Sequence, residues 1–157
     1  MTLVILAAGM AKRLRPLTDN TPKCLLDVKG RSLLERSMDA IVASGVRDFV
    51  IVTGYLNHMI EDFVKSHYGD SIRVTFIHNA LYDSTNNIYS LWLAGQAVAG
   101  KEFLLLDSDL LYDPQIVKNV LASKAANVLT LIRHELGEEE MKVVLGADGN
   151  ISEISKT

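Results

Sequence analysis

The chain has 157 residues, 48% of them hydrophobic, 22% charged and 6% aromatic, with a formal net charge of −3. That length buries a real core in one compact domain, and the apolar fraction excludes a disordered chain. No apolar run reaches the roughly 18 residues that span a bilayer. Leu3–Ala8 lacks the basic flank and cleavage site of a secretory signal, and the single cysteine, Cys24, makes neither an internal disulfide nor a cysteine metal site. Together these features fit a reducing cytoplasm. The charge is unevenly spread. Lys12, Arg13, Arg15, Lys23, Lys29 and Arg31 against Asp19 and Asp27 put +4 on the first 31 residues, leaving −7 on the rest. A basic zone this small is no nucleic-acid footprint, but it suits one compact polyanion such as a nucleoside triphosphate.

Residues 2–8 read as a continuous apolar strand, the kind covered on both faces of a parallel sheet. A polar, basic loop follows from Gly9 to about Pro22. Leu33, Leu34, Met38, Ile41 and Val42 predict a helix over 32–44, with Gly45 as its stop. Phe49–Val52 is a second buried strand, and Leu56, Met59, Ile60, Phe63 and Val64 mark a second helix ending near Gly69. Ile72–Ile77 reads as a third strand, Asn87–Val98 as a helix, and Phe103–Leu106 as a fourth strand running into Asp107-Ser108-Asp109. Asp113 is the expected N-cap of a helix with Pro114 at its first position. Val128–Ile132, Lys142–Leu145 and Ile151–Ile154 read as strands, the last two joined by the turn Ala147-Asp148-Gly149-Asn150. The alternation predicts an α/β fold, a mostly parallel Rossmann-like sheet flanked by helices with a β-rich C-terminal part. No linker divides the chain, so residues 1–157 read as a single domain. The end, Ile151–Thr157, reads as a larger fold cut short.

In an open α/β sheet, ligands bind beyond the carboxyl ends of the strands. The first strand delivers its end into Gly9-Met10-Ala11-Lys12-Arg13-Leu14-Arg15-Pro16-Leu17-Thr18, followed by Thr21-Pro22-Lys23. Gly9 permits close approach of backbone to ligand or a positive φ. Arg13 offers a planar fork of donors to phosphate oxygens and Lys23 a point charge. Pro16 and Pro22 restrict the loop. The Gly-Lys-Ser/Thr of a Walker loop and the three glycines of dinucleotide folds are both missing.

Ala7-Ala8-Gly9, Arg13-Leu14, Pro16-Leu17-Thr18 and Pro22-Lys23 together resemble the signature loop of the sugar-phosphate nucleotidylyltransferase superfamily. Asn79, Tyr82 and the run Ser84-Thr85-Asn86-Asn87-Ile88-Tyr89-Ser90-Leu91-Trp92 resemble its phosphocholine cytidylyltransferase-like branch. The resemblance implies that backbone around Ala7, Ala8, Gly9 and Met10 lies against the nucleotide, that Arg13 and Lys23 are catalytic and bind phosphates, and that Asn79, Ser84, Thr85 and Asn86 read base and ribose. Capping of the following helix is the competing role for Ser84 or Thr85.

Asp107 and Asp109 point to the same side of a strand end, where two carboxylates call for a cation. Magnesium suits such a site because it takes few protein carboxylates and completes its shell with water and phosphates. The resemblance places the metal ligand at Asp109, with Asp107 behind it. The family's second metal aspartate has no counterpart here. Lys156 resembles a late family lysine, and Glu138–Glu140 read as a solvated turn. Cys24, beside Lys23, is open to a lowered thiol pKa. His58 and His67 read as helix-surface residues, and His134 shows no ligand spacing. Trp92, Tyr82, Tyr89 and Tyr112 are available for a cation–π contact with an aminated acceptor.

The expected activity is Mg²⁺-dependent transfer of CMP from CTP to a small phosphorylated or phosphonate acceptor, with release of pyrophosphate. A sugar-1-phosphate nucleotidylyltransferase and a catalytically incomplete nucleotide-binding domain are the alternatives. Neither nucleic acid nor membrane is an expected partner, and an oligomer is left open.

Overall fold

Six consecutive residues, Thr2–Ala7, form the first strand, β1, and from Leu3 to Ala7 every one is buried. The computed structural model describes residues 1–133, 135, 137 and 140–155. After two 3-10 turns, Lys12–Leu14 and Lys23–Leu25, comes a small hairpin of β2 (Asp27–Val28) and β3 (Arg31–Ser32). Then follow α1 (Leu33–Ala43), β4 (Asp48–Thr53), α2 (Asn57–Tyr68), β5 (Arg73–His78), α3 (Asn87–Val98), β6 (Phe103–Asp107) and α4 (Gln115–Ala122). Strands β5, β4, β1 and β6 pair in that order, all parallel.

The run of apolar residues in β1 has two destinations because strand side chains alternate. Leu3, Ile5 and Ala7 join Leu34, Met38 and Ile41 of α1, Ile60 and Val64 of α2, and Val117 of α4. Val4 and Leu6 join Ala94 and Val98 of α3 on the opposite face. Burying a Leu or Ile side chain fully is worth roughly 1.5–3 kcal/mol, and the alternation supplies such residues to both faces.

Local signals set the helix boundaries. Ser32 caps α1 by accepting the Glu35 N–H at 3.1 Å, and Asn86 caps α3 by accepting that of Ile88 at 3.1 Å. Asp113 Oδ1 accepts the Gln115 N–H at 2.8 Å, and Pro114 already has helical dihedrals, so the cap sits where the sequence places it.

The chain forms two compact units, Met1–Ser123 and Lys124–Thr157. The second unit contains the antiparallel hairpin of β7 (Lys142–Leu145) and β8 (Ile151–Ser155), with a bulge at Val144/Leu145. Its turn is held by Asp148, whose carboxylate accepts from the backbone and side-chain nitrogens of Asn150, and Gly149 takes φ +78°. The strand expected at Val128–Ile132 is not formed. Its residues are exposed, and among the described residues no neighbouring strand pairs with its backbone, without which alternation alone makes no strand. His134, Glu138, Glu139 and Lys156 lie outside the described residues.

Candidate active site

After β1 the chain runs through α1 and α2 to β4 and β5 on one side of β1, then returns through α3 to place β6 on the other. The strand order thus reverses between β1 and β6, and the loops leaving their carboxyl ends diverge around a crevice. There a cleft of about 220 Å³ opens. Ala7, Gly9, Ala11 and Lys23 line it from the β1 side, and Asn87, Asp107, Ser108 and Asp109 from the other. That volume is below the roughly 300 Å³ at which small-molecule sites begin.

The central contact joins residues 86 positions apart: Lys23 Nζ donates to Asp109 Oδ2 at 2.5 Å, both side chains remaining about one-third exposed to solvent (38% and 32%). Asp107, beside Asp109, has its carboxyl pKa raised by desolvation at the strand end and by the Asp109 charge, with Lys23 acting against them. Ser108 points inward and is buried. The two mutually repelling carboxylates, Asp107 and Asp109, are hard-oxygen donors, and they fit a divalent cation with oxygen preference. Among the described residues a second donor set, Glu35, Asp39 and His67, is already served by Arg31, whose guanidinium binds both carboxylates.

Other expected residues are placed differently. Arg13 sits exposed in the 3-10 turn of the loop, outside the cleft lining, and neither it nor Lys12 has an ion-pair partner among the described residues. The left-handed conformation considered for Gly9 falls instead on Ala11, at φ 47°. A Cβ on Gly9 would enter open space, so this glycine leaves room along the cleft wall. Ala8 is buried with its carbonyl bound by the Tyr55 N–H, and Met10 is half-buried outside the lining.

Asn79 is turned into its own loop and the start of α3. It is 1% exposed, its amide donates to Thr85 Oγ1 and Ser90 Oγ at 3.1 Å each, and its Oδ1 accepts the Leu81 N–H at 2.9 Å. An amide so fully engaged has no donor left for a base edge; it braces the loop before α3. Thr85 Oγ1 and Ser84 Oγ both donate to the Leu81 carbonyl, and Asn86 is the helix cap. None of these four lines the cleft.

Cys24 also departs from expectation. Burial pushes its thiol up to about 12, outweighing the opposing hydrogen bonds to its own backbone and to Ser108. Asn87 was missed as a site residue: its Nδ2 donates to Asp107 Oδ1 at 3.2 Å across the cleft. Its place in the Ser84–Trp92 run and its position in the first turn of α3 were the signals for it. The loop carrying Asp109 is tethered to α1, with Ser37 Oγ donating to the Leu110 carbonyl and Tyr112 OH to the Ser37 carbonyl. Trp92 is 63% exposed and stacks on Tyr89 with ring centroids 5.5 Å apart.

A larger hollow, about 450 Å³, opens at the amino ends of β1, β4 and β5. Its Arg73 and Asp48 neutralise each other through paired hydrogen bonds of 2.6 and 2.7 Å, so it offers less convergent chemistry than the smaller cleft. Among the described residues, no helix is long and apolar enough to cross a membrane.

Known proteins share this layout. The choline-phosphate cytidylyltransferase of Streptococcus pneumoniae is 38% identical over 109 residues, covering 69% of this chain and 44% of that protein. The CTP:phosphoglutamine cytidylyltransferase of Campylobacter jejuni is 29% identical over 129 residues, 79% of this chain and 49% of that one. The chain thus spans less than half the length of either relative. Among solved structures, the inositol-1-phosphate CTP transferase from T. maritima superposes with a TM-score of 0.77 at 27% identity, over 99% of this chain and 63% of that one. The family model described as nucleotidyl transferase matches residues 2–148, from β1 through the Lys23–Asp109 cleft to the β7–β8 turn, and the chain belongs to that family.

Proposed function

We propose that this chain transfers CMP from CTP to a small phosphorylated or phosphonate acceptor, with Mg²⁺ held at Asp109 and pyrophosphate released. The observation that carries this reading is the convergence of Lys23 and Asp109 at the switch between β1 and β6. Relatives named as choline-phosphate, phosphoglutamine and 2-aminoethylphosphonate cytidylyltransferases support the choice of CTP and of a small anionic acceptor.

An acceptor phosphate or phosphonate oxygen is already ionised near neutral pH, so the chain supplies no base and no nucleophile. That oxygen attacks the α-phosphorus of CTP, and the bond from this phosphorus to the oxygen bridging to the β-phosphate breaks. What opposes the step is repulsion between two anions brought into line, so positioning and charge neutralisation carry catalysis. Lys23, in the cleft, stabilises charge on the α-phosphate, and Arg13, exposed and without an ion-pair partner among the described residues, receives the departing pyrophosphate. Asp109 would hold the metal, with Asp107 and Asn87 behind it; when bound, the ion neutralises phosphate charge as a Lewis acid.

The test is a pyrophosphate-release screen of four nucleoside triphosphates against phospho-alcohols, phosphonates and sugar 1-phosphates, run on this chain and on any longer form. Release with CTP and a phospho-alcohol or phosphonate is the expected result. Release with sugar 1-phosphates alone makes it a sugar nucleotidylyltransferase, and CTP binding with no release from any form makes it a non-catalytic nucleotide-binding domain.

A further inference from the structure

We propose that Tyr55 is a positioning residue that staples the Gly9–Thr18 loop into the shape that receives a triphosphate, an inference that rests on the nucleotidyl-transfer reading above. Gly54 and Tyr55 follow β4 directly. The Tyr55 N–H donates to the carbonyl of Ala8, at 3.0 Å, where the loop leaves β1. Its phenolic O–H reaches the loop's other end and is shared between the carbonyls of Thr18 at 3.0 Å and Asp19 at 2.7 Å. One residue therefore binds both ends of the loop.

The stretch needs such ties. Lys12 through Leu17 are all exposed, so little apolar burial holds the loop in place. Thr18 is fully buried, and its Oγ1 donates to the Ala11 carbonyl at 3.1 Å, closing the loop from within. The Tyr55 ring is in turn placed by its surroundings. Its centroid lies 6.3 Å from that of Tyr82, and Gly54 lets the two segments meet: a Cβ there would fall 2.6 Å from Tyr82 Cβ and 2.7 Å from the Ala8 oxygen. A loop ordered before ligand arrives loses less entropy on binding, so the staple acts on affinity through Arg13 without touching the ligand itself.

Tyr55→Phe keeps the ring and removes only the donated proton. Amide hydrogen exchange within residues 9–19 of the full chain accelerates about five- to tenfold, the worth of one hydrogen bond, while exchange in β1 is unchanged. Binding of CTP and of inorganic pyrophosphate weakens by a similar factor, and binding of CMP, which lacks the β- and γ-phosphates, changes less than about twofold. Thr18→Val, which breaks the bond to Ala11 and leaves Tyr55 intact, gives the same loop-selective pattern and carries the test should Y55F not fold. Unchanged exchange over 9–19, or equal weakening of CTP and CMP, overturns the proposal. If the unmodified chain binds no CTP, the functional reading falls, and the exchange measurement alone decides the role of Tyr55.

Discussion

Two polar loops meet the carboxyl end of the sheet, and they spend their side chains in opposite ways. In the loop after β1, Lys12 and Arg13 stand exposed without ion-pair partners among the described residues, and Lys23 reaches across to a single carboxylate. In the loop between β5 and α3, Asn79, Ser84, Thr85 and Asn86 hydrogen-bond to the loop's own backbone, to each other, or to the first turn of α3, where Ser90 receives the Asn79 amide. The difference teaches that polar residue types alone do not mark a binding surface. A group already bonded by its own chain has little left for a ligand, whereas an exposed cation with no partner is available to an anion.

The sharpest way to break this comparison is to remove the cleft's charges. Lys23→Ala and Asp109→Ala each lower the proposed CMP transfer on the order of a hundredfold or more, while the melting temperature of Lys23→Ala stays close to that of the unmodified chain because the pair is partly exposed. Turnover within tenfold of the unmodified rate in either variant would remove the cleft from the chemistry. The braced loop responds in the other currency. Asn79→Ala strands the Leu81 N–H and the hydroxyl partners of a buried amide and costs about 2–3 kcal/mol in urea denaturation. A loss of CTP affinity without that loss of stability would return Asn79 to base recognition. The smallest response belongs to Cys24. With its thiol near 12 it is protonated at pH 8, where an unperturbed thiol begins to ionise, so iodoacetamide labels it only after unfolding. Labelling of the native chain would place a thiolate at the cleft after all.

Much of the first unit was legible because its signals are local. The apolar run of β1, the period of α1 and α2, the Asn87–Val98 helix and the Asp113-Pro114 start all sit within a residue or two of where the sequence places them. Val128–Ile132 shows the limit. Its alternation satisfies a strand pattern, but a strand also needs a partner for its backbone, and that is a long-range property. Cys24 failed for a related reason: its neighbour in sequence is a cation, yet burial, set by packing with α1 and β1, dominates its ionisation. Asn79 binds within its own loop and Asn87 reaches across to β6, and nothing in an asparagine's chemistry tells whether its partner lies 6 positions away in its own loop or 20 away on β6.

By itself, the order of residues determined the alternation of strands and helices, the concentration of positive charge before residue 24, and the family that the Gly9–Lys23 pattern resembles. These depend on side-chain period and on neighbours close in the chain. Only the folded arrangement decided that β6 lies beside β1, and hence that Lys23 and Asp109 meet, that Asn79 turns inward, and that Tyr55 spans the loop. Those outcomes depend on strand order, which brings together groups separated by tens of residues, and on burial, which decides which polar atoms remain available once the chain has satisfied its own.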